Sequence, residues 1–282
     1  MEVDAVAASD RPRYLAVFGT FARNSLVRDM TFRWNFVLDA VSSLSWVFMQ
    51  LIFFQIIFSN TDEIGANTGW HRWEFYIFLA TMYLVNSLVE AFFMPNTSEF
   101  SELIRSGNLD FALLKPIDTQ FLISLQKIEW SSLTNTVFAL GLLTVSLGHL
   151  TYQPSPGVIV LYFFYVGCGV ALLYSLMIVL GAISVWLGRN ESLYDFWFYI
   201  TNFSRYPMEI YEGPIGTPLR RTFTYLIPIL VVVNVPARLL AKPLADQDWR
   251  LAGFGLAATI SCFLVSRRLF HRALESYRSA SS

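Results

Sequence analysis

Charge is what this chain has least of. Only 15% of its 282 residues are Asp, Glu, Lys or Arg, against roughly a quarter in an average soluble domain. A surface so poor in charge is built in large part to face lipid. Cysteine and histidine are scarcer still, at two and three residues. Cys168 and Cys262 both lie in long apolar runs with no second ligand at metal spacing. That argues against a disulfide framework or a zinc-type site, and both read as small residues packed between helices. His71, His149 and His271 are scattered and suggest no role. The net charge of −1 gives no bulk attraction to nucleic acid. No G-x-x-x-x-G-K-S/T phosphate loop occurs, nor any H-E-x-x-H or G-x-S-x-G. The chain is therefore expected to be no enzyme and to hold no metal or cofactor. Any ATP that drives it must be bound by another polypeptide.

What the chain has in abundance is apolar length. Crossing about 30 Å of hydrocarbon takes about 20 mostly apolar residues. Trp34 to Ser59, Phe75 to Met94, Trp130 to Leu150, Val158 to Leu187 and Leu251 to Phe270 all meet that length. Two weaker candidates lie between Arg189 and Asp248. Ser192 to Tyr211 carries Asp195, Arg205 and Pro207; Thr222 to Ala241 carries Pro228 and Pro236, which predict a bent or re-entrant segment. One of the two is expected to cross.

Orientation follows from Lys and Arg placement. Arg11, Arg13, Arg23, Arg28 and Arg33 precede the first span, and Arg267, Arg268, Arg272 and Arg278 close the chain. Both termini are thus expected to be cytoplasmic, which requires an even number of crossings, and six fits. Counted the same way, Arg220 and Arg221 favour Thr222 to Ala241 as the fifth crossing. Residues 1–33 contain no uninterrupted apolar core, so they read as a retained segment rather than a signal peptide. Within them, Tyr14 to Met30 mixes Leu15, Val17, Phe18, Phe21 and Leu26 with arginines, as an amphipathic helix on a lipid surface would. The expected architecture is all-α and polytopic: residues 1–33 as a cytoplasmic N-terminus with an amphipathic helix, 34–270 as a six-helix transmembrane domain, and 271–282 as a cytoplasmic tail in a multi-pass protein of the cell membrane.

The loop from Pro95 to Gln126 is too patterned for a plain connector. Asn96 is placed to cap a helix, Phe100, Leu103 and Ile104 form an apolar stripe, and Gly107 supplies a stop. A second short run, Leu109 to Leu114, ends at Pro116. Such a helix either passes force from a soluble partner into the flanking spans or lies on headgroups. Within the spans, Asp39 and Glu90 fall about five residues from the cytoplasmic ends, at similar depth. They either flank an entrance there or reach the headgroups. Trp70, Trp73 and Trp130 suit an interfacial belt, and Gly167, Gly169 and Gly181 permit close helix approach.

The run Ile104 to Asp118, IRSGNLDFALLKPID, resembles the cytoplasmic-loop signature of the ABC-2 type permeases of ATP-binding-cassette transporters, in the branch carrying I-x-S-G-x-L-D and L-L-K-P. RYPMEIY and the later PLRRTFTYLIP and VPARLL, between Arg205 and Leu240, are similar to the segment near that branch's fifth span. The likeness extends from about Tyr14 to Phe270. It implies a permease subunit of an exporter that pairs as a homodimer or heterodimer and docks on separate ABC ATPase subunits, which bind the ATP. It also implies that Glu99, Glu102, Arg105, Ser106, Asp110 and Lys115 belong to the ATPase-coupling loop, and that the N-terminal helix touches the ATPase. In such a fold Ser192 to Tyr211 makes the fifth crossing and the next segment re-enters from outside, against the arginine count. The competing reading is a secondary transporter or channel acting without an ATPase. That class more often shows inverted repeats and mid-span ionisable groups, neither of which is found here. A membrane enzyme or assembly factor lacks a catalytic constellation. Family members move lipids, drugs, polymers or peptides, and the residues do not choose among them.

Overall fold

A computed structural model describes residues 13–65, 68–187 and 198–277. The five apolar runs each form one long helix. These are α2 (Arg33–Phe58), α3 (Arg72–Phe92), α7 (Leu133–Gly148, entered through a 3-10 turn at Trp130–Ser132), α8 (Pro156–Leu187) and α11 (Trp249–Ser276). Ahead of them, Tyr14–Thr31 forms α1. Local chemistry sets the boundaries. The backbone N–H of His71 donates to the Glu74 carboxylate at 3.0 Å in a capping box that opens α3. Asp248 accepts the N–H groups of Arg250 and Leu251, both at 3.1 Å, to open α11.

α3 is the axis of the bundle. It is buried along most of its length, between Phe75 and Ala91, against α7, α8 and the helix at Leu230–Ala241. α8 in turn packs on α11. α2 lies at the periphery, buried only at Val47, Phe54 and Phe58, with Trp34, Leu38, Ile52 and Ile56 facing outward. Hydrogen bonds from Asn135 to Ser43 (2.5 Å), Tyr83 to Gln50 (2.5 Å) and Tyr76 to Gln55 (2.8 Å) stitch it to its neighbours. Large apolar side chains on the outside and paired polar ones within are what a lipid solvent selects. The protein is an all-α, polytopic membrane protein.

The stretch between α8 and α11 settles a conflict left open by the residues. Leu187 ends α8 beside the C-terminus of α11, where the Trp186 indole N–H donates to Ser276 at 2.5 Å. Glu209 lies at the opposite end, accepting the Trp70 indole N–H at 2.9 Å. The chain therefore changes ends between these two residues. The expected crossing at Ser192 to Tyr211 begins outside the described residues. From 198 onward it is a helical turn, a 3-10 turn at Asn202–Arg205, an extended break at Tyr206–Pro207 and a second 3-10 turn at Met208–Ile210.

Next come α9 (Gly213–Arg221), continued by a π turn at Thr222–Leu226, and α10 (Leu230–Ala241). The two arms meet at 91° across Ile227–Ile229, with Pro228 in the break. Lys242, just past α10, bonds to Glu74 and to the Gly69 carbonyl, back at the Trp70 end. The segment thus begins and ends on one side and does not cross. The arginine count misled because Arg220 and Arg221 sit on α9, a short amphipathic helix with no buried residue, rather than on a loop between spans.

Gly169 makes the re-entrant arm fit. A Cβ there would stand 2.9 Å from the Val232 carbonyl oxygen. α10 itself is buried almost throughout, and Asn234 in its middle accepts the Met208 N–H at 2.9 Å. Among the described residues five long helices run between the two ends, and both described termini lie at the end away from Trp70.

Candidate coupling site

At that far end, α3 passes through the single residue Phe93 into α4 (Met94–Ser106), followed by α5 (Leu109–Leu113) and α6 (Thr119–Leu125). Pro95 sits in the first turn of α4, where its missing N–H costs nothing. Gly107 closes the helix at φ 73°, a left-handed conformation that glycine adopts without strain. The expected two-helix pattern and its glycine stop are both present.

The expected cap is not. Asn96 lies inside α4, not ahead of it, and is buried at 2% exposure. Its amide donates to the carbonyls of Phe92 (2.8 Å) and Lys127 (2.7 Å) and accepts the Lys127 N–H at 2.8 Å. It clamps the chain that leads into α7. The apolar stripe of α4 also points inward. Phe100 packs on Phe270 of α11 with ring centroids 5.7 Å apart, in a small core with Leu109, Ala112, Leu122, Ile123 and Ile178. About 10 Å³ of free space is left among Phe93, Phe100, Tyr174, Met177 and Phe270, no more than one water's worth. α4 to α6 form a knob packed hard onto α8 and α11.

The sequence-assigned residues divide accordingly. Glu99 pairs with Lys127 at 2.9 Å and joins α4 to the α7 lead-in. Glu102 and Arg105 are exposed and pair with each other through two hydrogen bonds of 2.8 and 2.9 Å. The Ser106 hydroxyl donates to the Glu102 carbonyl at 2.8 Å, which ties it to its own helix. Asp110 lies beside Tyr277, and Lys115 is exposed. Two large apolar side chains are exposed there as well, Phe111 at 68% and Leu114 at 80%, at the tip of α5.

Asp39 and Glu90 lie on α2 and α3. Asn135 and Thr136 of α7 bond to Ser43 and Ser87, which sets those two at one level. Asp39 and Glu90 accordingly share the expected depth. Asp39 is exposed on α2, however, and Glu90 is part-buried in α3 with Arg205 as its opposing charge. No ion pair joins them to each other among the described residues.

Three groups of contacts had no local sequence signal. The first is a fork from Arg267 of α11 to Asp118, at 3.1 and 2.5 Å, with a third bond to Gln120 at 3.0 Å. That guanidinium, together with the Phe121 N–H, holds the Asp118 carboxyl below its usual range against partial burial. The second is the anchoring of α1. Ser25 accepts the Ile128 N–H at 3.0 Å, Arg28 donates to the Ile128 carbonyl at 3.1 Å, and Phe18 and Tyr14 meet Phe92 and Phe121. α1 is a helix as expected, but its buried positions are the polar Ser25 and Asp29, and Leu15 and Val27 are exposed. The third lies at the other end, where Glu209 pairs with Arg238 and with Trp70, and Lys242 pairs with Glu74 at 2.7 Å. Trp70 is 1% exposed and so is no belt residue. The only hint in the sequence was charge embedded in an apolar stretch, which needs a partner.

Long apolar helices, a re-entrant arm and a rigid knob on one end define a polytopic all-α membrane protein. Residues 44–281 match the family described as ABC-2 family transporter protein, and the chain belongs to that family. It is an ABC transporter permease, a multi-pass membrane subunit. The match excludes α1 and the first turns of α2. No curated protein and no solved structure matches the chain.

Proposed function

We propose that this chain is the permease subunit of an ATP-driven exporter, moved by a separate ATPase that grips the knob at α5. The observation that carries the reading is the tip itself. Phe111 and Leu114 stand exposed on a helix whose other face is locked into the bundle. Exposed aromatic and aliphatic anchors on a rigid base are what a protein partner buries. The exposed Glu102–Arg105 pair and Lys115 provide a polar rim beside them. ATP is bound by the partner, because this chain has no phosphate loop.

The knob end is the cytoplasmic one. Arg13, Arg23, Arg28, Arg33, Arg267, Arg268 and Arg272 gather there, whereas Arg238 and Lys242 at the other end are neutralised by Glu209 and Glu74. Export and pairing with a second permease, identical or not, follow from the resemblance of the loop. The sparsely covered α2 leaves room for such a pairing.

The test is co-purification with a co-expressed ABC ATPase. Phe111→Asp with Leu114→Asp is expected to insert normally and lose the ATPase. Reversing Glu102 and Arg105 together is expected to keep the ATPase but lower coupling of hydrolysis to transport. An ATPase retained by the double aspartate variant rejects α5 as the docking tip. Vectorial transport by the purified chain alone rejects the whole reading.

A further inference from the structure

The knob meets the bundle through two kinds of contact that differ in what they resist. The Phe100–Phe270 contact and its apolar neighbours hold α4 against α11, but apolar surfaces can slide by a fraction of a turn at little cost. The Asp118–Arg267 fork cannot. Two parallel N–H···O bonds fix both the distance and the orientation of the pair. At 21% and 41% side-chain exposure, such a pair contributes little to stability by itself. Its use is in register.

Asp118 is committed twice. The oxygen that takes one arm of the fork also caps α6 by accepting the Phe121 N–H at 2.9 Å. A rotation of α6 therefore pulls directly on Arg267. Gln120, in the first turn of α6, accepts from the same guanidinium and donates to the Tyr174 hydroxyl of α8 at 2.9 Å. Ser124 shares a further hydrogen bond with that hydroxyl at 2.9 Å. One network thus joins α6 to the two long helices that flank it.

We propose that Asp118, Gln120 and Arg267 are positioning residues of coupling, converting a displacement of the knob into movement of α11 and, through Tyr174, of α8. This rests on the reading of the knob as the ATPase docking point. α1 is a second attachment of the knob, and its ring contacts and backbone bonds lead to α6, the α7 lead-in and Phe92 of α3.

The experiment uses the full chain reconstituted with its co-expressed ABC ATPase in phosphatidylcholine–phosphatidylglycerol vesicles. Spin labels at the exposed positions Ser155 and Asp246 report the far ends of α8 and α11. The labelled wild type is expected to shift its distance distribution on trapping with ATP and vanadate. Arg267→Gln and Asp118→Asn, which keeps the α6 cap acceptor, are each expected to reduce the shifted population about tenfold. Both are expected to leave the ATPase bound and the KM for ATP unchanged, a split that general destabilisation does not produce. The double variant is expected to lose no more than either single one, because the pair acts as a unit. Arg267→Lys, which keeps the charge without the fork, is expected to recover only part of the shift. A full shift in Arg267→Gln with the ATPase bound overturns the proposal, as does a wild type that binds the ATPase and shows no shift. A wild type that binds no ATPase fails the docking reading instead, and the proposal falls with it.

Discussion

Gly169 is the residue on which the re-entrant arm depends most directly. With the Val232 carbonyl oxygen 2.9 Å from where a Cβ would stand, Gly169→Ala must push α10 off α8. The expected cost is about 1–3 kcal/mol, as for other overpacked sites, read as a lower melting temperature of the purified protein. Gly167→Ala, two residues away with nothing within 4 Å, is the matched control and is expected to leave the melting temperature unchanged. Equal losses in both would place the effect in α8 itself rather than in the contact.

Asp118 makes a prediction in pH. Its folded pKa is depressed, first by the Arg267 hydrogen bonds and then by the Phe121 N–H, against partial desolvation. A depressed carboxylate contributes stability that is fully present above its unfolded pKa, about 4, and lost as pH falls through the lower folded value. Because the Arg267 partner is 41% exposed and the pair is screened by solvent, the contribution is below about 1 kcal/mol. The wild type is accordingly expected to melt slightly above Asp118→Asn at neutral pH and level with it in strong acid. A gap that widens on acidification would reverse the sign and refute the pairing.

Among the elements, the re-entrant arm is held where charge is least tolerated. Glu209 and Arg238 are 16% and 24% exposed, and Trp70 donates to the same carboxylate. Breaking one partner strands the other: Glu209→Gln alone is expected to destabilise by about 2 kcal/mol or more. Glu209→Gln with Arg238→Gln leaves no unpaired charge, keeps an acceptor for Trp70, and should recover much of that loss in a thermal melt. A double variant less stable than either single one would mean that Arg238 serves something other than Glu209. This arm also marks how far the elements could be read from sequence. The long helices follow from apolar length alone, and the bend follows from Pro228. The destination of each arm did not follow. It depends on Lys242 reaching Glu74 and Arg238 reaching Glu209, contacts between residues 168 and 29 positions apart that no local pattern records. The knob was similarly half legible. Gly107 and Pro116 delimit its helices, but the stripe of Phe100, Leu103 and Ile104 could not say which surface it covers. It covers α11, so the outward anchors are those of α5.

At the scale of the whole molecule, the sidedness of the chain is one claim with one decisive measurement. Glu209 and Lys242 both meet the Trp70 end, so everything between them belongs to that side. If Thr222 to Ala241 crossed instead, Glu212 and Asp246 would emerge on opposite faces of the membrane, and the arginine count would be right about Arg220 and Arg221. Single cysteines at the exposed positions Glu212, Asp246 and Lys115, in a background lacking Cys168 and Cys262, separate the two arrangements. A membrane-impermeant maleimide applied to intact cells is expected to label Glu212→Cys and Asp246→Cys alike and to spare Lys115→Cys until the membrane is opened. Labelling of only one of the first two would undo the re-entrant arm. Labelling of all three from outside would instead contradict the placement of the knob in the cytoplasm. That placement is what permits an ATPase to reach Phe111 and Leu114, so the result bears on the coupling site as directly as on the fold.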